Sequence, residues 1–170
     1  MPDIDKLTQG YDATEDRLFV DVRLGDGVAR RLWLTQRLSG VLVHHLCRWL
    51  DEQLALTASG HHDTRLHRFE QQAAAAALSP ERAVEPGQQP VLVHSVDLDR
   101  GEQAVRITFL AAGARPGDGP QMTLDAVRLR QWLGILRGLY DTAGWYTDVW
   151  PQWLGADRKA DAAGLPLHLH

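Results

Sequence analysis

The chain holds eight histidines, the side chains best able to bind a metal or move a proton near neutral pH. The densest run is His61-His62-Asp63, with His67 four residues beyond the carboxylate. On a helix Asp63 and His67 share a face, which makes His61, His62, Asp63 and His67 the candidate metal ligands. The surroundings fall short of a metal motif: no His-Glu-x-x-His segment occurs, and no second carboxylate sits at helical spacing on that face. Asp63 as a helix N-cap beside solvated histidines accounts for the same residues without an ion, so no metal and no cofactor is expected. Of the other histidines, His44 falls on the helix side of Arg37, Arg48 and Asp51, toward solvent. His45 lies between Val41 and Trp49, and His94 on an apolar strand face; both are predicted to be hydrogen-bonded core residues.

Nucleophile and phosphate motifs are missing from the sequence. There is no Gly-x-Ser-x-Gly elbow, and the single cysteine, Cys47, falls in mid-helix where nothing lowers its pKa. Gly25-Asp26-Gly27 and Gly117-Asp118-Gly119 lack the Lys-Ser/Thr that completes a phosphate loop. No catalytic residue is assigned, and the chain reads as a non-enzymatic protein-interaction module. Two aromatic features carry that reading. One is a hairpin face bearing Phe19, Arg23, Arg31 and Trp33, residue types that anchor protein partners and stack bases. The other is the run from Trp145 to Trp153, in which Trp145, Tyr146, Trp150 and Trp153 follow neither helical nor strand spacing. The plain alternatives are a cross-strand pair that stiffens the hairpin and an arm packed on its own domain.

These side chains depend on a small set of elements for position. Arg17–Leu24 and Val28–Leu34 alternate on either side of Gly25-Asp26-Gly27, which predicts a hairpin pairing Leu18 with Leu34, Phe19 with Trp33, Val20 with Leu32 and Asp21 with Arg31. Thr35 caps a helix running to about Leu56. A second helix is predicted from Asp63 to about Leu78, with a stripe of Leu66, Phe69, Ala73, Ala76 and Ala77. Ser79-Pro80-Glu81 is read as the cap of one further turn. Val91–Leu98 and Gln103–Leu110 form a second hairpin, with Leu92, His94, Val96 and Leu98 on the apolar face. Gln121–Leu124 is a short strand before Asp125, which caps a helix ended by Gly144. Gly134 and Gly138 inside that helix point to a close approach by another backbone.

The expected fold is therefore α+β: two antiparallel hairpins in a sheet of four to five strands, with about three helices mainly on one face. Set 90 residues apart, Leu32-Trp33-Leu34-Thr35 aligns with Met122-Thr123-Leu124-Asp125, an internal β-β-α pseudo-repeat. The 170 residues fit a single domain, with 1–15 and 156–170 as flexible ends. An apolar fraction of 44% against 24% charged is that of a globular protein. A formal net charge of -4 offers no basic field for nucleic acid. Single-stranded nucleic acid at the hairpin face is accordingly the second reading, and a metal-dependent enzyme at His61–His67 the third.

Glu15-Asp16-Arg17-Leu18 and Arg31-Leu32-Trp33-Leu34-Thr35 resemble the opening of a small group of uncharacterised bacterial proteins, over about the first 50 residues. The resemblance implies a bacterial setting and carries no activity, ligand or catalytic residue. No apolar run reaches the roughly 18 residues of a membrane span. The expected location is the cytoplasm, without membrane contact, and the expected partner is another protein or a second copy in a homodimer.

Overall fold

The computed structural model describes residues 2–57 and 64–155, together with the backbone of residues 167–168. Strands β1 (Ile4–Asp12), β2 (Arg17–Leu24) and β3 (Ala29–Leu34) lead into α1 (Gln36–Thr57). After α2 (Thr64–Ala76), strands β4 (Val91–Arg100), β5 (Ala104–Ala111) and β6 (Gln121–Asp125) lead into α3 (Ala126–Ala143). A 3-10 turn (Gln152–Leu154) and the two-residue β7 (Leu167–His168) follow. The fold is α+β, with one sheet in the order β6-β5-β4-β3-β2-β1-β7. Pairing is antiparallel everywhere except between β3 and β4. The sheet curls so that the residues before β1 reach β6: Asp3 forms an isolated parallel bridge with Gln121, the Gln121 N–H donates to the Pro2 carbonyl at 3.0 Å, and its side-chain amide donates to Asp3 at 2.7 Å.

The first hairpin has the predicted register, Leu18↔Leu34 through Asp21↔Arg31. Gly27 at φ 85° supplies the left-handed residue that closes its loop. Alternation then sends Leu18, Val20, Leu32 and Leu34 inward against the helices, where all four are buried. Thr35 Oγ1 accepts the Leu38 N–H at 3.2 Å, and Asp125 Oδ1 accepts the Arg128 N–H at 2.8 Å, so both long helices begin on a side-chain cap. Gly144 ends α3 at φ 67°, and the Trp145 N–H turns back to the Tyr140 carbonyl.

The pseudo-repeat is larger than the sequence indicated: each half is three strands and a capped helix. The register breaks once between Ile4 and Lys6 in β1, and once between Val93 and Ser95 at the corresponding place in β4. The helices are exchanged between halves. α1 packs on β4 and α3 on β1, and the Gln9 side chain of β1 donates to the Trp132 carbonyl of α3 at 2.9 Å.

Several expectations are corrected. Residues 4–12 form a strand rather than a flexible end. The signal was obscured because the bulge after Ile4 shifts the alternation and one inward position holds Gln9. The bulge in β4 likewise reverses parity, burying Val93 and leaving Leu92 and His94 exposed. Val96 and Leu98 face the core as expected. The second hairpin turns two residues later than expected, with Gly101 N–H bonded to the Ala104 carbonyl; the even shift leaves the faces unchanged. His45 is exposed, because the buried stripe of α1 runs through Leu42, Val43, Leu46, Cys47, Trp49, Leu50 and Leu54. Helix α2 buries His67 and Ala74, not the predicted alanine stripe, and Phe69 faces solvent. Residues 79–90 form no helical turn. The end segment 156–166 lies outside the described residues.

Candidate functional site

On the outer face of the sheet, residues stand in rows across the strands. One row is Gly10–Phe19–Trp33–Leu92, from β1 to β4; the next is Thr8–Asp21–Arg31. Arg31 joins the two. Its Nε and Nη2 each donate to a different oxygen of Asp21 at 2.7 Å, a two-pronged bond that raises the guanidinium pKa still further. The same guanidinium lies 4.2 Å from the centre of the Phe19 ring and 5.3 Å from that of Trp33. The two rings meet edge to face, 6.2 Å apart at 84°. Phe19 rests where Gly10 has no side chain, since a Cβ there would overlap the ring. Asp21 is buried, whereas Phe19, Arg23, Arg31 and Trp33 are half-buried and Leu92 is 48% exposed.

The segment 79–90 crosses part of this face. Glu81 pairs with Lys6 at 3.3 Å, the Val84 N–H donates to Thr8 Oγ1 at 2.9 Å, and Gly87 presses on the backbone of Ala29 and Arg30. The Trp33–Leu92 end of the aromatic row shows none of these contacts.

The aromatic arm packs elsewhere, against the helices. Trp145 meets Tyr11 and Tyr140 edge to face and donates to Asp16 at 3.2 Å; Trp150 also meets Tyr140 edge to face. Trp153 stacks on His67 at 4.5 Å. All three indoles are buried, and Tyr146, 84% exposed, is the one aromatic of the arm left at the surface. Their burial follows from a helix end that folds back, which directs the chain across α3 instead of into solvent.

His67 sits in a polar seam among the three helices. Arg130 Nη2 lies 3.1 Å from His67 Nδ1 and Nη1 lies 3.4 Å from the His67 carbonyl. A guanidinium can only donate, so Nδ1 accepts and the ring proton sits on Nε2, facing Asp51 at 3.1 Å but poorly aligned. Burial lowers the Arg130 pKa, and burial together with Asp51 pushes the nearby Cys47 thiol up to about 12. In this seam burial keeps the thiol protonated, and Arg130 holds the imidazole at Nδ1. Through Arg130, His67 ties α2 to α3. Among the described residues no group of three or more His, Cys, Asp or Glu is placed to hold a metal ion. His61, His62 and Asp63 lie outside the described residues. No helix among the described residues is long and apolar enough to cross a membrane.

Leu92 and Gly10 belong to the outer-face site and were missed from the sequence. Leu92 was placed inward for want of the bulge, while Gly10 had no recognised strand to belong to. No protein-family model, curated protein or solved structure matches this chain.

Proposed function

We propose that this protein is a non-catalytic binding module of the cytoplasm that engages another protein, or a second copy of itself, through the Phe19–Trp33–Leu92 row on the outer face of the sheet. The observation that carries this reading is the contrast between the two halves of the repeat. By strand register, Gly10, Phe19 and Trp33 occupy the positions that Asp99, Arg106 and Thr123 occupy in the second half. There the row is polar and exposed, with a 3.6 Å Arg106–Asp99 pair. The same backbone therefore forms without aromatic residues, and their presence in the first half is not a requirement of the architecture. Rigid aromatics braced by an arginine are what protein interfaces use as anchors, at low cost in side-chain entropy.

A protein partner fits this surface better than a nucleic acid does. Arg31 is already neutralised by Asp21, and the net charge of -4 adds no attractive field for phosphate. The test compares the wild type with Trp33→Ala and Leu92→Asp by light scattering at tens of micromolar and by co-purification. Loss of dimer or of a co-purifying protein in both variants is expected, with both still unfolding cooperatively; Trp33→Ala also loses its contacts with Phe19 and Arg31, so its midpoint falls. Unchanged assembly and unchanged co-purification in both variants overturn the reading.

A further inference from the structure

We infer that α2 is a dimerisation helix, whose outward apolar seam pairs antiparallel with the same seam of a second copy of this chain. The seam shares no residue with the outer face of the sheet. Leu66, Phe69, Ala73 and Ala76 follow one another at intervals of three, four and three residues, the spacing of a two-helix seam. Such a stripe is expected to face its own core, yet here it is turned outward. Phe69 is 64% exposed, Ala73 and Ala76 are exposed, and Leu66 is half-buried. The inward side of α2 is the polar one. Gln71 Nε2 donates to the Arg130 carbonyl at 2.8 Å and Gln131 Nε2 to the Ala74 carbonyl at 2.9 Å. Gly134 makes room for a side chain there and not for a backbone, since a Cβ would stand 3.0 Å from Gln71 Nε2. A helix docked by its polar side leaves its apolar side for another partner.

Size and charge select a second α2 as that partner. The large residues of the seam lie toward its start and the alanines toward its end. Antiparallel pairing about a two-fold axis therefore sets Leu66 against the partner's Ala76 and Phe69 against the partner's Ala73, large into small in every layer. Parallel pairing would stack Phe69 on its own copy and leave the alanines facing a gap. The first turn of α2 holds Arg65 and no acid, and its last turn holds no base, so its own described side chains do not offset its dipole. In the antiparallel pair the dipoles oppose, and Arg65 comes beside the carbonyl end of the partner helix. Glu70, which borders the seam near the axis, acts on Arg130 of its own chain. The contact is one helix of 13 residues, about 20 Å long. That is a small interface, and a dissociation constant on the order of 10–100 μM is expected.

Sedimentation equilibrium of the full chain from about 5 to 500 μM, bracketing that estimate, reads the dimer directly. Phe69→Glu and Ala73→Glu each put a charge into the seam and should weaken the dimer at least about tenfold. Both sites are exposed in the single chain, so unfolding midpoints in dilute solution should hold. A nitroxide on Ala75→Cys, beside the seam, reports orientation, because the buried Cys47 does not compete for the label. Mixed with 15N-labelled wild type, it should broaden the amides of residues 65–69. A chain still monomeric at the highest concentration, a dimer undiminished by both charges, or broadening centred on residues 73–77 each overturns the proposal. A dimer that survives both charges and is lost in Leu92→Asp belongs instead to the outer face.

Discussion

Gly10→Ala is a sharp test of how the outer-face cluster is built. A methyl at that position would overlap Phe19 Cζ and stand 2.7 and 3.0 Å from Cε1 and Cε2. The atoms it meets are the far end of a side chain on an open face, so the ring swings away and the strand survives. What is lost is the seat of the ring: the edge-to-face contact with Trp33, worth about 0.5–1.5 kcal/mol, and the Arg31 contact, worth about 0.5–1 kcal/mol. Alanine returns about 0.4–1 kcal/mol by restricting the unfolded chain. The net expectation is a loss of about 0–2 kcal/mol from these contact values, or up to about 8 °C in midpoint for a chain of this size. The diagnostic lies in the double variant. With Phe19→Ala already made there is no ring to displace, and Gly10→Ala should become stabilising by about 0.4–1 kcal/mol. Urea denaturation of the four proteins in the cycle gives both signs. If Gly10→Ala is no less favourable in the wild type than beside Phe19→Ala, Phe19 is not seated over Gly10 and the preorganised cluster does not exist.

Three further outcomes follow from the scaffold. Thr35→Ala and Asp125→Ala should each cost about 1 kcal/mol, and add in the double variant because the caps belong to different helices; chemical denaturation measures both. Cys47, with its thiol raised to about 12 by burial, should resist iodoacetamide at pH 8 in the native protein and react once the chain is unfolded, as read by mass spectrometry. The Asp16 carboxylate is held below its ordinary value by the Tyr11 hydroxyl, and next by the Trp145 indole N–H. A depressed native pKa means its contribution is present above the unfolded value of about 4 and is lost as pH falls through the lower native value. Indole fluorescence should therefore change over that acid window, and Asp16→Asn should remove the change.

What the sequence made legible was whatever is written locally. Alternation around Gly25-Asp26-Gly27 specified the first hairpin to the residue, and Thr35, Asp125 and Gly144 marked helix ends that hydrogen bonds and a positive φ then bear out. Features set by distant partners were hidden. The bulge in β4 sent Leu92 outward against its hydrophobicity, because register depends on the pairing strand and not on the strand's own pattern. Helix α2 was misread because its attachment is polar: Gln71 donates to the Arg130 carbonyl, Gln131 to the Ala74 carbonyl, and Arg130 lies against His67. An apolar periodicity cannot report such a face. The Phe19–Trp33 pairing was visible, but Gly10, which makes room for Phe19, was not.

The structural repeat separates scaffold from function more cleanly than burial does. Features present in both halves are the bulge in the first strand, the inward apolar rows, the side-chain cap and the helix laid on the opposite half. Each follows from closing a curled sheet over one core, and each would be needed whatever the protein did. Features present in one half are α2 and the aromatic row on the outer face. The second half shows that the outer row can be Asp99, Arg106 and Thr123 and still pair in register. Selection for folding alone therefore leaves that row free to be polar, and a half-buried Phe–Arg–Trp cluster beside an exposed Leu92 carries a solubility cost that a solvated row avoids. Under the function proposed above, that asymmetry marks the face a partner would meet, and the residues that break the repeat are the ones to mutate first.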